Sequence, residues 1–376
     1  MKIAFIRRHY TPHGGAERYV ERLSRHLVEQ GHEIHLFSHY WPESEGTTIH
    51  PVPMLKGMGL LKLWSFNVGV KRFLAKASFD VVQSFEKTWC QDVYRAGEGC
   101  HREWLAQRGK YETFPETLGA KINPFHWLTL VMERKLFEGS STQFFIANSQ
   151  RGKREILAHY RVSPEKIRVI YSAVPFKAPL SLTDKDRPEK RKEKILLFVG
   201  SGFQRKGLFF ILKALPLVLK QADVRLLVVG QGDQKRATAL AGRLGILDKV
   251  SFTGPVKDVI PFYLEADAFV LPSIYEPFSN ACLEAMAFGL PVVTTEMNGA
   301  SEDILPGQNG YVIKEPNDLE ALSDLLVQGL QLDQEAILEA NQKMLSRHTW
   351  EGHLESLLGL YEKVLEEKRE KNSRYR

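Results

Sequence analysis

Short apolar runs alternate with longer amphipathic stretches along most of this chain. The runs lie at residues 2–6, 33–38, 80–84 and 143–148, and again at 194–200, 224–230, 268–273 and 291–295. Their length and composition fit strands buried within a sheet. Helical spacing separates many of them, as at residues 16–30, 208–221 and 319–330, and residues 350–368 read as a long amphipathic helix. Alternation of this kind predicts parallel, doubly wound α/β sheets. A length of 376 residues suits two such domains, each with its own core. The break falls at residues 176–193, a polar, proline-containing stretch with neither period. The expected organisation is a first domain over 1–175, a linker over 176–193, a second domain over 194–345 and a C-terminal helix over 346–376.

In open sheets of this type, ligands bind beyond the carboxyl ends of the strands, so chemistry is sought there. The run at 268–273 leads into Glu276, and Ser279 or Asn280 can cap a helix reaching Phe288, where Gly289 and Pro291 stop it. Glu276 then occupies the loop at the sheet mouth, and Glu284 lies roughly 6–8 Å further along the helix axis. Free N–H groups of the first helical turn lie between them and favour an anion. A ligand with hydroxyls at both ends and phosphate between them fits, and a nucleotide sugar has that shape. Gly14 and Gly15 stand at the first strand-to-helix turn, where backbone can approach a ligand closely. Arg205 and Lys206 stand at the first turn of the second domain, suited to neutralising a diphosphate. A further turn, Gly299-Ala-Ser-Glu-Asp-Ile304, follows the run at 291–295, with Glu302 as an acid near a helix start.

Other classes fit poorly. The P-loop pattern fails because Arg205 and Gly207 stand where its second glycine and its hydroxyl belong. Gly230-Gln-Gly232 lacks the third glycine of a dinucleotide fingerprint, with Lys235 in that place. Asp184 and Asp186 form a D-x-D triplet, but within the charged linker rather than after a buried strand, and read as solvated. Cys90, Cys100 and Cys282 offer neither a metal pair nor a disulfide framework, which suits a reducing compartment. The first apolar run is too short for a signal peptide, and no stretch is long enough to span a bilayer.

The stretch around Glu276 and Glu284, with seven residues between them, resembles the E-x7-E signature of retaining, nucleotide-sugar-dependent glycosyltransferases of family four type. Those enzymes have the GT-B architecture, two Rossmann-like domains facing a central cleft. The resemblance spans nearly the whole chain and is strongest from Lys194 to Ile313. It implies that Arg205 and Lys206 stabilise the leaving nucleoside diphosphate, Glu276 holds donor-sugar hydroxyls and Glu284 the ribose. It also implies backbone contacts from Phe278, Ser279 and Asn280, a Gly14-Gly15 loop facing donor phosphates and acceptor, and a last helix crossing back to the first domain. With two cations on the diphosphate, no metal or other cofactor is required. No enzymic nucleophile is evident, which favours a same-face displacement assisted by the leaving phosphate. Residues 92–104, read as a loop, resemble a segment of bacterial lipopolysaccharide-core glucosyltransferases. There Glu98 replaces the usual aspartate, and His101 could bond an acceptor or sugar hydroxyl. The expected donor is accordingly UDP-glucose, and the expected acceptor a lipopolysaccharide-core or other lipid-linked glycan. A GT-B sugar-nucleotide epimerase is the nearest enzymatic alternative.

Charge changes the picture in one place. The chain carries a formal net charge of +6 with a pI near 9.0, which alone would also suit a nucleic-acid binder. No nucleic-acid motif appears, however, and the cations cluster with apolar residues. No acid lies between Glu45 and Asp80, while Lys56, Lys62, Lys71, Arg72 and Lys76 do, interleaved with Trp64, Phe66 and leucines. A basic, aromatic-bearing amphipathic segment reads as a surface for an anionic membrane. Trp127 marks a second candidate. The expected location is cytoplasmic, peripheral to the inner face of the membrane.

Overall fold

The computed structural model describes residues 1–11, 14–55, 59–112, 114–174 and 192–374. They divide into two compact units, Met1–Ile170 with His353–Arg376, and Tyr171–Gly352. The chain thus passes between units at 170/171 rather than after 175, and again at 352/353 rather than at 345/346. Residues 176–191 of the expected linker, with Asp184 and Asp186, lie outside the described residues.

In the first unit, β1 (Lys2–Ile6), β2 (Glu33–Ser38), β3 (Thr47–Pro51), β4 (Val81–Ser84), β5 (Val93–Arg95), β6 (Phe144–Ala147) and β7 (Ile167–Val169) form one parallel sheet. Its order is β3-β2-β1-β4-β5-β6-β7. Helices α1 (Gly15–Glu29), α2 (Gly59–Leu74), α3 (His101–Gly109), α4 (Phe114–Ile122), α5 (Pro124–Glu138) and α6 (Gln150–His159) lie between strands. Ile3 to Ile6 are all buried, so both sheet faces are covered here, as expected of a parallel sheet. In α1, Val20, Leu23 and Leu27 are buried at helical spacing and give it one inward face.

In the second unit, β8 (Lys194–Val199), β9 (Val224–Val229), β10 (Val250–Gly254), β11 (Ala268–Leu271), β12 (Val292–Thr295) and β13 (Gly310–Ile313) pair in parallel in the order β10-β9-β8-β11-β12-β13. Its helices are α7 (Leu208–Val218), α8 (Gln234–Arg243), α9 (Ile260–Glu265), α10 (Asn280–Ala287), α11 (Leu319–Leu330) and α12 (Gln334–Leu345). The last helix, α13 (Trp350–Arg374), joins the first unit from His353 onward. Tyr361 there donates to Gln83 at 2.7 Å, and Lys368 reaches Asp92 at 2.7 Å.

Two corrections follow. Residues 92–104 are not a loop but β5, a short turn and the first residues of α3; a strand of three residues is too short to carry a readable period. Glu302 lies in a 3-10 turn, Gly299–Asp303, rather than at an α-helix start. Strand order reverses between β1 and β4 in one unit and between β8 and β11 in the other. These are the two positions where a doubly wound sheet opens a crevice for ligand.

Candidate active site

In the second unit, β8 leads into a tight turn that carries Arg205 and Lys206 before α7. Gly207 closes that turn with φ at 82°, and a Cβ there would meet the Pro272 carbonyl oxygen at 2.0 Å. Only glycine therefore lets the turn lie against the chain leaving β11. Ile274 N–H donates to the Arg205 carbonyl at 2.9 Å and fixes the contact. The result brings together residues distant in sequence. Arg205 Nη1 and Lys206 Nζ both donate to Glu276 Oε2, at 2.7 and 2.8 Å. Glu276 is buried. Burial pushes its carboxyl up, but Arg205 and Lys206 outweigh that and hold it below its ordinary range. Two cations on one carboxylate give this cluster a net charge of +1.

Backbone bonds fix the Glu276 loop. Its N–H donates to Met297 and its carbonyl accepts from Gly299, both at 2.9 Å. Ser279 caps α10 by accepting from the Cys282 N–H, and Asn280 is its first residue. Phe278 and Ser279 are buried and Asn280 half-buried. Glu284 faces α9, where the buried Tyr263 hydroxyl donates to its carboxylate at 2.8 Å. Burial, and then Glu284, push that phenol well above its usual value, so it stays a donor. Burial also pushes the Cys282 thiol up to about 11, away from the thiolate form, and its sulfur accepts from the Asn298 amide at 3.4 Å.

The first unit builds a different cluster at its own crevice. Arg7, just beyond β1, donates to Glu17 at 2.8 Å and to Glu98 at 3.1 Å, and lies 3.5 Å from Glu86. Gly14 caps α1, and a Cβ there would fall 1.8 Å from a Glu17 carboxylate oxygen. Glycine at this position leaves room for the acid of its own helix. Gly15 is the first residue of α1. Glu98 is 56% exposed along its side chain. Desolvation pushes its carboxyl up, but Lys87 and Arg7 prevail and hold it low.

His101 starts α3 and faces His126, with ring nitrogens 3.1 Å apart. Burial, then Lys87 and His126, push it down to about 4, so it is neutral at neutral pH. The N–H groups of His101 and Arg102 donate to the fully buried Glu133, at 2.8 and 3.2 Å. The protein's own carboxylate therefore fills that helix start. Arg7, Glu17, Glu86, Lys87 and Glu133 were not singled out from sequence. Arg7, Glu86 and Lys87 follow apolar runs directly, so the strand-end rule could have found them.

The two candidate membrane segments lie together, with α2 packed against α5. Trp64 and Trp127 are 54% and 66% exposed, and Leu61, Ile122 and Phe125 are exposed as well. Lys71, Arg72 and Lys76 face solvent and Lys62 is half-buried. Leu63 and Phe66, which alternate with these cations in sequence, are buried. Lys56 lies outside the described residues, and among those described no helix is long and apolar enough to cross a membrane.

Comparison with known proteins agrees with this layout. Residues 13–177 match the family described as Glycosyltransferase Family 4, and residues 182–344 match Glycosyl transferases group 1. The chain is 28% identical to the lipopolysaccharide glucosyltransferase WaaG of Escherichia coli, over 88% of this chain and 90% of that protein. A crystal structure of WaaG superposes with a TM-score of 0.77 at 25% identity, covering 96% of this chain and 98% of that one. The Anabaena protein Alr3699/HepE, solved in complex with UDP-glucose, shares the fold at a TM-score of 0.71 and 18% identity, covering 98% of this chain and all of that one (100%).

Proposed function

For a chain that belongs to the GT-B glycosyltransferases, a family 4 domain followed by a group 1 domain, we propose retaining transfer of glucose from UDP-glucose to a lipopolysaccharide-core or other lipid-linked glycan. The observation that carries this reading is the pair of cations on buried Glu276, beside a helix start at the strand-order reversal. In the proposed reaction the bond between the sugar's anomeric carbon and the diphosphate oxygen breaks, and its electron pair goes to the phosphate. The acceptor hydroxyl oxygen bonds that carbon on the same face, and its proton passes to the departing phosphate oxygen. Arg205 and Lys206 turn from Glu276 to the diphosphate and neutralise its growing charge, with no metal required. Glu276 then takes sugar hydroxyls and Glu284 the ribose. Backbone amides of Phe278 to Asn280 approach sugar or phosphate, while Gly14, whose N–H is held by the Thr11 carbonyl at 2.9 Å, and Gly15 keep the first strand-to-helix turn open to hydroxyl groups. Glu98 and neutral His101 serve hydroxyls on the acceptor side.

The exposed tryptophans and cations of α2 and α5 support docking on an anionic membrane at the cytoplasmic face, where a lipid-linked acceptor is presented. A panel of nucleotide sugars, offered with a heptose-containing core oligosaccharide and excess chelator, tests the chemistry. The expected product carries glucose with the donor's anomeric configuration, read by NMR. Inversion, loss of activity in chelator restored by magnesium, or a converted nucleotide sugar without acceptor would each overturn a stated part. Flotation with anionic vesicles tests the surface: binding should fall when Lys62, Lys71, Arg72 and Lys76 become Gln.

A further inference from the structure

We infer that His348 is a positioning residue for the donor site, holding the Glu276 loop from behind through Asp303 and Phe278; the inference rests on Glu276 belonging to that site. His348 lies between α12 and α13 and is buried. Its Nδ1 is 2.7 Å from the Ser172 carbonyl oxygen, and its Nε2 is 3.0 Å from Asp303 Oδ2. A carbonyl and a carboxylate can only accept, so both bonds form together when both ring nitrogens carry protons. Asp303 is buried too, and Arg347 approaches its other oxygen at 3.9 Å. The backbone adds a tie, since the Val174 N–H donates to the His348 carbonyl at 2.9 Å.

Two routes lead from this ring to Glu276. Asp303 ends the 3-10 turn whose first residue, Gly299, donates its N–H to the Glu276 carbonyl. Asn298 fixes the start of that turn, accepting from Ala300 N–H at 3.1 Å and donating to Thr294 at 2.9 Å. Holding Asp303 thus holds the far end of the segment that pairs with Glu276. The second route is packing. The Phe278 ring lies 5.6 Å from the His348 ring at 33°, two residues beyond Glu276. Tyr171 completes the cluster, with ring centroids 5.5 Å from His348 and 6.1 Å from Phe278, and its hydroxyl donates to Glu302 at 2.9 Å.

The Glu276 carboxylate is useful only where Arg205 and Lys206 meet it, within about half an ångström of productive geometry. A buried imidazole with two acceptors and two ring neighbours supplies that constraint without touching substrate. A misplacement of about 1 Å from such a support costs up to roughly 10²-fold in rate.

The test uses the full-length enzyme and steady-state transfer from UDP-glucose, below the thermal transition. In His348→Asn the shorter amide can bond Ser172 but falls short of Asp303, and in His348→Gln the longer amide keeps Asp303. We expect His348→Asn to lower kcat by about 10-fold or more and raise donor KM, with acceptor KM unchanged, and His348→Gln to lose about threefold. Leu326→Ala, a core truncation in α11, serves as the reference for destabilisation without repositioning. Wild-type kinetics in folded His348→Asn, matching those of Leu326→Ala, would overturn the inference. So would a larger loss in the Gln variant than in the Asn variant. If His348→Asn does not fold, Asp303→Asn carries the same test, with the same donor-side signature expected and its absence decisive against. Glu276→Gln separates the two layers of argument. Intact turnover there defeats the donor-site reading, whereas impaired turnover with normal His348 variants defeats the positioning role alone.

Discussion

The two units place charge at the same point of the same topology and give it opposite signs. In the second unit, the chains leaving β8 and β11 set Arg205 and Lys206 on Glu276, one carboxylate under two cations. In the first, the chains leaving β1, β4 and β5 surround Arg7 with Glu17, Glu86 and Glu98, one cation among three carboxylates. Helix starts follow the same division. The first turn of α10 carries no acid of its own. By contrast, Glu17 occupies the first turn of α1, and Glu133 fills that of α3. One crevice presents net positive charge and a helix start without its own acid, whereas in the other the helix starts already meet the protein's own carboxylates. Topology sets where each crevice lies, and the residues placed at each reversal point set its charge.

Removing Arg7, the cation that three carboxylates of the acidic cluster share, should have the largest effect, and on stability. Arg7→Met leaves three carboxylates without their shared partner; breaking a buried pair in this way costs about 3–5 kcal/mol. Urea denaturation should show that loss in the midpoint, and a change under about 1 kcal/mol would mean the cluster is hydrated and the contrast between units weaker than drawn. Removing a cation from the basic cluster should instead act on rate. Lys206→Ala or Arg205→Ala should lower turnover roughly 10²–10³-fold, because negative charge develops on the departing phosphate. A stability loss as large as that of Arg7→Met, with near-normal turnover in the folded fraction, would reverse the assignment.

Much of the basic site was legible because it is local. Arg205-Lys206 and Glu276 to Glu284 each follow an apolar run directly, and strand-end position is readable from sequence. Their convergence was not. Separate roles for the cations and for Glu276 follow from the motif, whereas the folded chain joins them across 70 or 71 positions of sequence. The acidic site was harder still. Arg7 finds Glu98 across 91 positions, and β5, which delivers Glu98, is three residues long. The basic segment shows the same limit. Its period marks a helix, but which face packs on the sheet is a tertiary fact: Phe66 joins Ala4, Ile6 and Phe37 in the core, while Trp64 faces outward.

Acid should separate the units next. Burial leads the causes holding His9, His32, His50, His101 and His126 below their ordinary values, and all five lie in the first unit. For His101 the fall is from 6.5 to about 4. The unfolded chain then binds the proton first, so stability rises with pH across this window and is lost as pH falls from about 6.5 towards 4. Glu276 is the other case. Its folded value lies below the usual 4.5, so its contribution is present above that value and lost only below it. Hydrogen exchange at pH 5 should therefore loosen the first unit before the second. His101→Gln should remove up to about 2 kcal/mol of the pH dependence, discounted for partial exposure. Equal loosening of both units, or an unchanged slope in the variant, would count against this order.

The smallest effect tests the basic cluster most closely. Both cations donate to the same Glu276 oxygen, so on the proposed reading Glu276 competes with phosphate for them. Glu276→Gln keeps the shape and removes the competing charge. Free UDP should then bind more tightly, by about three- to tenfold, or roughly 1 kcal/mol. Turnover should fall even so, because the sugar loses the group that holds its hydroxyls while the chemical step gains nothing from tighter ground-state binding. Calorimetric titration with UDP beside steady-state kinetics reads both. Weaker UDP binding in the variant would mean that Glu276 holds Arg205 and Lys206 ready for the diphosphate rather than competing for them. The carboxylate would then be a support for the cations, and the sugar's contacts would have to be sought elsewhere on the second unit.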